Sequence, residues 1–371
     1  MSRSFVSRIA VPGVIGILIL CAVIFAGCKP EPTKIAATPT TQATNPTLKL
    51  TFTEQPTTTP PKPTVTPSPT ALVSPLTGLP VKDIALIQRR VIAARIGNDP
   101  EIRPQEGLGK ADLVYEEIMD GWWDTRFTAL FLESEAERIR PLRSARLSSI
   151  QIATQYDAAL VNTGASDEVR WRLSQTKIIN LDEYFHSEPY HILSGYDWRG
   201  RFYSSTGELR KYMQAKKLET KVIMKSYIFS TVPPKGALAL QVNIPYPHSC
   251  VVDWKYDAAK GVYLRFAAGE PHLEGLTGEQ ISASNVVILY TEHRTTDIVE
   301  DVNGATSIDI ILTGSGHAQV IRDGVVVEGT WKRNADNEPI LYYDKQGKVI
   351  PFKPGKTWIQ LVPTDYKVVI K

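Results

Sequence analysis

The chain has 371 residues, enough for two ordinary domains with cores of their own. Its charge is almost balanced, 42 Lys and Arg against 39 Asp and Glu. That balance argues against a general nucleic-acid binder, which needs a broad basic surface to release counterions, so no nucleic-acid partner is expected.

The first predicted element is an export signal. Arg3 and Arg8 precede an uncharged run from Ile9 to Gly27, and Cys28 follows. Residues 1–27 therefore read as a signal peptide or membrane segment. The "FAGC" at its end resembles a bacterial lipobox, whose cysteine becomes the lipidated N-terminus, although Phe25 stands where an aliphatic residue is usual. The alternative is an uncleaved anchor, since about 20 apolar residues span a bilayer. Both readings place the chain outside the cytoplasm, on the outer face of the cell membrane, with the membrane as partner through a lipid anchor on Cys28. Cys21 lies within the signal, which leaves Cys250 alone in the folded part, expected as a small buried apolar side chain.

Residues 28–74 read as a disordered linker. From Lys29 to Pro75, Thr and Pro fill 25 of 47 positions, and such a stretch buries too little apolar surface to offset ordering.

Residues 75–232 alternate short apolar runs with helical patterns. "RVIAARI" (90–96), "DLVYEEIM" (112–119), "RFTALFL" (126–132) and "AALVN" (158–162) predict strands. "SARLSSIQIATQY" (144–156), a segment from Ser166 and another over 207–217 predict helices. This order predicts an α/β domain, a mixed sheet with flanking helices. Residues 233–371 change texture. "CVVDWKYDAAKGVYLRF" (250–266), "NVVILY" (285–290), "SIDIIL" (307–312) and "TWIQLV" (357–362) predict a mostly antiparallel, β-rich domain. "AQVIRDGVVVEGTW" (318–331) places Asp323-Gly324 between apolar runs, a strong hairpin signal.

"RIRPLRSAR" (138–146) packs four arginines into nine positions. Arg138 and Arg140 are expected to pair with Glu133, Glu135 and Glu137. Ser144 reads as the N-cap of the following helix, with Arg143 just before it and Arg146 in its first turn. A cation is unfavourable at that positive end, by about 0.3–1 kcal/mol, unless an anion sits between the arginines and the free N–H groups. A strand ending at Asn162 leads through Thr163 and Gly164 to the same crevice, because ligands of α/β sheets gather at the carboxyl ends of strands.

"PLTGLP", "NDPEIRPQEGLGKADLVYE", "TRFTALF", "RPLRSAR", "YDAALVNTGAS" and "PYHILSG", in that order, resemble the YerB-like bacterial lipoproteins, built from two domains of unknown function. "GSGHAQVIRDGVVVEGTWKR" and "PGKTWIQLVP" resemble the second of those domains. The resemblance implies architecture and location and brings no established activity. Its recurrent polar positions fall on Asn98, Arg103, Gln105, Gly107, Asp112, Tyr115, Glu116, Arg126, Arg143, Ser144, Arg146 and His191. His191 is displaced by one position from that pattern. A further likeness, at the level of fold alone, is to the LytR-CpsA-Psr envelope phosphotransferases, whose sequence signature is absent.

No phosphate loop, dinucleotide fingerprint, nucleophile elbow or zinc motif occurs, so no metal is expected and no cofactor is implied. Glu116, Glu117, Asp120 and Asp124 cluster beside Trp122-Trp123, a pattern open to an acid–base pair or an Mg²⁺ ligand next to a sugar-stacking platform, but read first as acidic strand ends and a partly buried aromatic pair. The expected ligand-binding residues are Arg103, Gln105, Glu116, Arg126, Arg143, Ser144, Arg146, Asn162 and His191. The expected function is a membrane-anchored envelope lipoprotein that binds an anionic ligand, a cell-wall glycan or phosphate-bearing lipid. The alternatives are an enzyme acting on a pyrophosphate or glycan and a protein scaffold.

Overall fold

A computed structural model describes residues 72–371; the signal segment, Cys28 and the linker up to residue 71 lie outside the described residues. Strand outweighs helix throughout. In chain order the first half forms β1 (Ile92–Gly97), β2 (Leu113–Ile118), β3 (Thr125–Phe131), α1 (Leu147–Gln155), β4 (Ala159–Asn162), α2 (Asp167–Ser174), β5 (Ile179–Asp182) and α3 (Thr206–Ala215). The second half adds β6 (Gln241–Ile244), β7 (Val252–Asp257), β8 (Val262–Ala267), β9 (Asn285–Thr291), β10 (His293–Val299), β11 (Thr306–Ile310), β12 (Gly314–Arg322), β13 (Val325–Arg333), β14 (Leu341–Asp344) and β15 (Thr357–Pro363).

One sheet takes strands from both halves, in the order β14-β13-β12-β9-β15-β2-β3-β1-β4-β5. β15 runs parallel to β2 on one side and to β9 on the other, so the sheet is continuous across Pro233. β1, β2, β3, β9 and β15 are buried along their whole length, as strands covered on both faces must be. β6, β7 and β8 belong to a second sheet, whose Trp254 meets Trp358 of β15 edge-on at 5.3 Å. β10 and β11 form a separate two-stranded arm. Asp323 and Gly324 both adopt positive φ between β12 and β13, as a two-residue hairpin of this type requires. Cys250 is buried and free.

β1, β4 and β5 run parallel, and β2 points the same way because both it and β1 pair antiparallel with β3. Their carboxyl ends, the start of β3 and the amino ends of α1 and α2 therefore share one edge of the sheet.

Candidate functional site

Most of "RIRPLRSAR" is an extended strap laid across that edge. Gly97 N donates to Pro141 O at 3.0 Å, Arg143 N to Arg95 O at 2.9 Å and Ala145 N to Gly164 O at 2.9 Å. These bonds keep Ser144 and Ala145 out of the helix, and the Ser144 hydroxyl turns to the Thr163 carbonyl at 3.4 Å. The expected cap at Ser144 is thus corrected: α1 begins at Leu147 with Arg146 as N-cap residue, and the Ser149 hydroxyl accepts from Arg146 N at 2.9 Å. Ser166 does cap α2, accepting from Val169 N at 3.4 Å.

The four arginines separate. Arg138 and Arg140 bond not the expected neighbours but Glu106, at 3.0 and 2.9 Å, because the strap pairs with that segment backbone to backbone. Arg146 is answered internally by Asp120 at 2.6 Å and by Glu300, beyond the end of β10, at 3.3 Å. Burial alone would lower its pKa, but Asp120 and Glu300 with the nearby Asp124 together more than offset this and the net direction is upward.

Arg143 and Arg126 remain. Arg126 is 5 % exposed and is the single buried arginine, among the described residues, with no carboxylate within 4.0 Å. Its Nη1 reaches only the Ser144 carbonyl, at 3.4 Å, and its Nε has no hydrogen-bond partner among the described residues. Arg143 likewise lacks a carboxylate within that distance; its Nη1 lies 3.4 Å from Arg199 O, its Nε is unpartnered, and its guanidinium sits 5.1 Å over the Trp198 ring. Gly97 makes room for its stem, since a Cβ there would lie 2.8 Å from Arg143 Cγ. Burial, reinforced by the like charge of Arg126, pushes Arg143 down to about 10. Beside them burial lifts Asp124 to about 6, against the pull of Arg126.

A buried guanidinium stays charged, and a buried charge without a partner costs several kcal/mol. Arg126 and Arg143 together present two positive groups whose missing component is an anion, and planar donor forks suit phosphate or carboxylate.

Other expected site residues serve a different purpose. Glu116 accepts two bonds from Arg265 of β8, at 2.9 and 2.8 Å. The Arg265 guanidinium also meets His272, whose Nε2 pairs with Gln105 at 2.6 Å, and Gln105 Nε2 lies 3.1 Å from Asn98 Oδ1. Asn98 closes the chain to Thr125 at 2.7 Å, and Thr125 donates to Glu116 at 2.9 Å. Burial, with the charge of Arg265, holds His272 well below the usual histidine range, so it is neutral here. Arg103 lies at the rim of this ring, donating to Asn98 O at 2.8 Å and Ser249 O at 3.2 Å. Gln105, Glu116 and Arg103 thereby join the two halves of the chain.

Asn162 bonds Asn180 at 2.7 Å inside the sheet. His191 pairs with Glu208 at 2.7 Å on a separate short hairpin. Of the expected ligand set, the structure brings together Arg126, Arg143 and Ser144, with Arg146 alongside. Asp99, Trp198, Arg265 and Glu300 were missed by sequence reasoning. No spacing rule ties them to the cluster, since each arrives from a distant loop or strand.

Glu116 is held bidentately with a wholly buried side chain, and Asp112 is turned inward, accepting from Leu132 N at 2.6 Å. Among the described residues no group of three or more His, Cys, Asp or Glu is placed to hold a metal ion. A groove of about 970 Å³ lies elsewhere, and its Arg333 is already spent on the carbonyls of Leu312, Gln151 and Asp336.

Residues 76–222 match the N-terminal domain, and residues 242–359 the C-terminal domain, of the protein of unknown function family DUF3048. YerB of Bacillus subtilis (strain 168), whose name proposes a lipoprotein, is 30 % identical over 304 residues, 79 % of this chain and 86 % of YerB. A crystal structure of YerB from Bacillus subtilis superposes with a TM-score of 0.70 at 28 % identity, covering 80 % of this chain and 99 % of that one. The chain belongs to the DUF3048 family, with both of the family's domains in order.

Proposed function

We propose that this protein is an exported, lipid-anchored component of the bacterial envelope that binds an anionic ligand, a phosphate-bearing lipid or glycan, between Arg126 and Arg143. The apolar run before Cys28 and the name of the Bacillus subtilis relative support the location. The Arg126 guanidinium, buried without a carboxylate, carries the binding reading. Every other buried arginine among the described residues has its acid in place, so the protein neutralises internal cations wherever nothing else is to do so.

Calorimetric titration with pyrophosphate tests this. Wild type is expected to bind; Arg126→Met and Arg143→Ala are each expected to lose binding at least tenfold, about 1.4 kcal/mol. Undiminished binding in both variants sinks the assignment.

A further inference from the structure

Exposed aromatic side chains lie on arginines of the strap and next to Asp124. Trp198, 65 % exposed, lies on the Arg143 guanidinium at 5.1 Å, and Tyr196, 47 % exposed, lies on that of Arg140 at 4.1 Å. Trp123, 66 % exposed, is stacked on His248 at 4.0 Å and is the neighbour of Asp124, whose carboxylate feels the charges of Arg126, Asp99 and Arg143. Scattered exposed rings need no explanation. Each of these three is held by a cation–π or ring–ring contact, as Tyr184 and Phe185 are over Arg170, and such a contact restricts its plane before any ligand arrives.

The surroundings favour one occupant. Asp99, Glu101, Asp124 and Asp197 stand among the rings, and Arg199 ties two of these acids, at 3.5 Å to Glu101 and 2.9 Å to Asp197. A surface made to lie on an anionic bilayer combines basic residues with aliphatic and aromatic ones and avoids such acids. A sugar needs what is present: a flat ring for the C–H face of a pyranose, and carboxylates and guanidinium groups for its hydroxyls.

We infer that this face takes a glycan, with pyranose rings on Trp198 and Tyr196 and an attached phosphate at Arg126 and Arg143. The phosphate end of this assignment rests on the anion reading above; the sugar end does not. Together they describe a phosphorylated glycan rather than free phosphate or a bare lipid headgroup.

Calorimetry on the full-length chain in detergent micelles separates the two ends, using inorganic phosphate, N-acetylglucosamine 1-phosphate and the neutral N-acetylglucosamine tetramer. The sugar phosphate is expected to bind about tenfold more tightly than phosphate. Trp198→Ala should abolish that gain, so that the sugar phosphate and phosphate bind alike, while Trp198→Phe should keep most of it. A sugar phosphate that binds no better than phosphate, or a gain that survives Trp198→Ala, overturns the glycan assignment and leaves the anion site standing. Tetramer binding that depends on Trp198, with no binding of phosphate, upholds the glycan and removes the anion reading. Failure of all three probes, or Trp198-dependent binding to phosphatidylglycerol vesicles alone, overturns the glycan.

Discussion

Arg265 of β8 donates from one nitrogen to both carboxylate oxygens of Glu116 of β2, at 2.9 and 2.8 Å, with both side chains at 0 % exposure. The pair lies 149 residues apart in sequence and locks the second sheet to the first half of the chain. Its guanidinium also lies 4.9 Å over the Trp358 ring and 5.3 Å over Phe127, so charge and packing are satisfied together. Removing one partner strands the other charge in the core. Arg265→Ala should cost about 3–5 kcal/mol in urea unfolding, and replacing both residues with apolar ones should recover part of that loss. A loss below about 1 kcal/mol would show that the buried ring is not what joins the halves.

Arg126 and Arg146 should respond in opposite ways. Arg146 neutralises Asp120 and Glu300, so Arg146→Ala leaves two largely buried acids unanswered and should lower the melting temperature sharply. Arg126 has no acid within ion-pair distance, and Arg126→Met keeps its stem packing while removing a costly charge. Its melting temperature should stay level or rise. Thermal unfolding of the two variants side by side reads the difference.

Some of this was legible from the sequence. Alternation and apolar runs located β1 to β4 and the strand at 357–362, and local turn chemistry located the Ser166 cap and the Asp323-Gly324 hairpin; β5 was not located. The start of α1 was not, because the serine preference at N-caps lost to tertiary bonds: Thr163 and Gly164 hold the strap at Ser144 and Ala145. The partners of the arginines were not legible either. Acids near in sequence are committed elsewhere, Glu133 to Thr77 and Glu135 to Arg89, while Glu106 and Glu300 arrive through strand register that no local pattern encodes. The continuity of the sheet across Pro233 is of the same kind, since β15 joins β2 from the far end of the chain.

Anion affinity should depend on Asp124. With its pKa lifted to about 6 by burial, Asp124 is neutral below that value and charged above it, close to Arg126 and Arg143. Sulfate keeps its charge across this range and is the suitable probe. Its affinity should fall as pH rises from 5 to 7.5, on the order of tenfold, and Asp124→Asn should flatten the profile. The same group works against stability as pH rises: the folded state holds the proton between about 4 and 6 and the unfolded chain does not, so its contribution declines across that window.

Gly107 tests the second seam between the halves. Its φ is +79°, a Cβ would lie 2.3 Å from Arg138 O, and its N–H donates to Glu274 at 2.7 Å. Gly109 N meets the same carboxylate at 2.7 Å. Gly107→Ala should destabilise by about 2 kcal/mol or more, measured by urea unfolding, because both the left-handed backbone and the carbonyl contact resist the methyl group.

The central claim is that Arg126 and Arg143 have no internal acid at ion-pair distance because an anion from outside completes them. Tungstate soaked into crystals gives the direct measurement, since its anomalous signal locates a phosphate-like anion without ambiguity. The account predicts a peak within hydrogen-bonding distance of both guanidinium groups, beside the Ser144 strap. Guanidinium groups found paired with Asp99 or Asp124, with no tungstate between them while other sites are occupied, would contradict it.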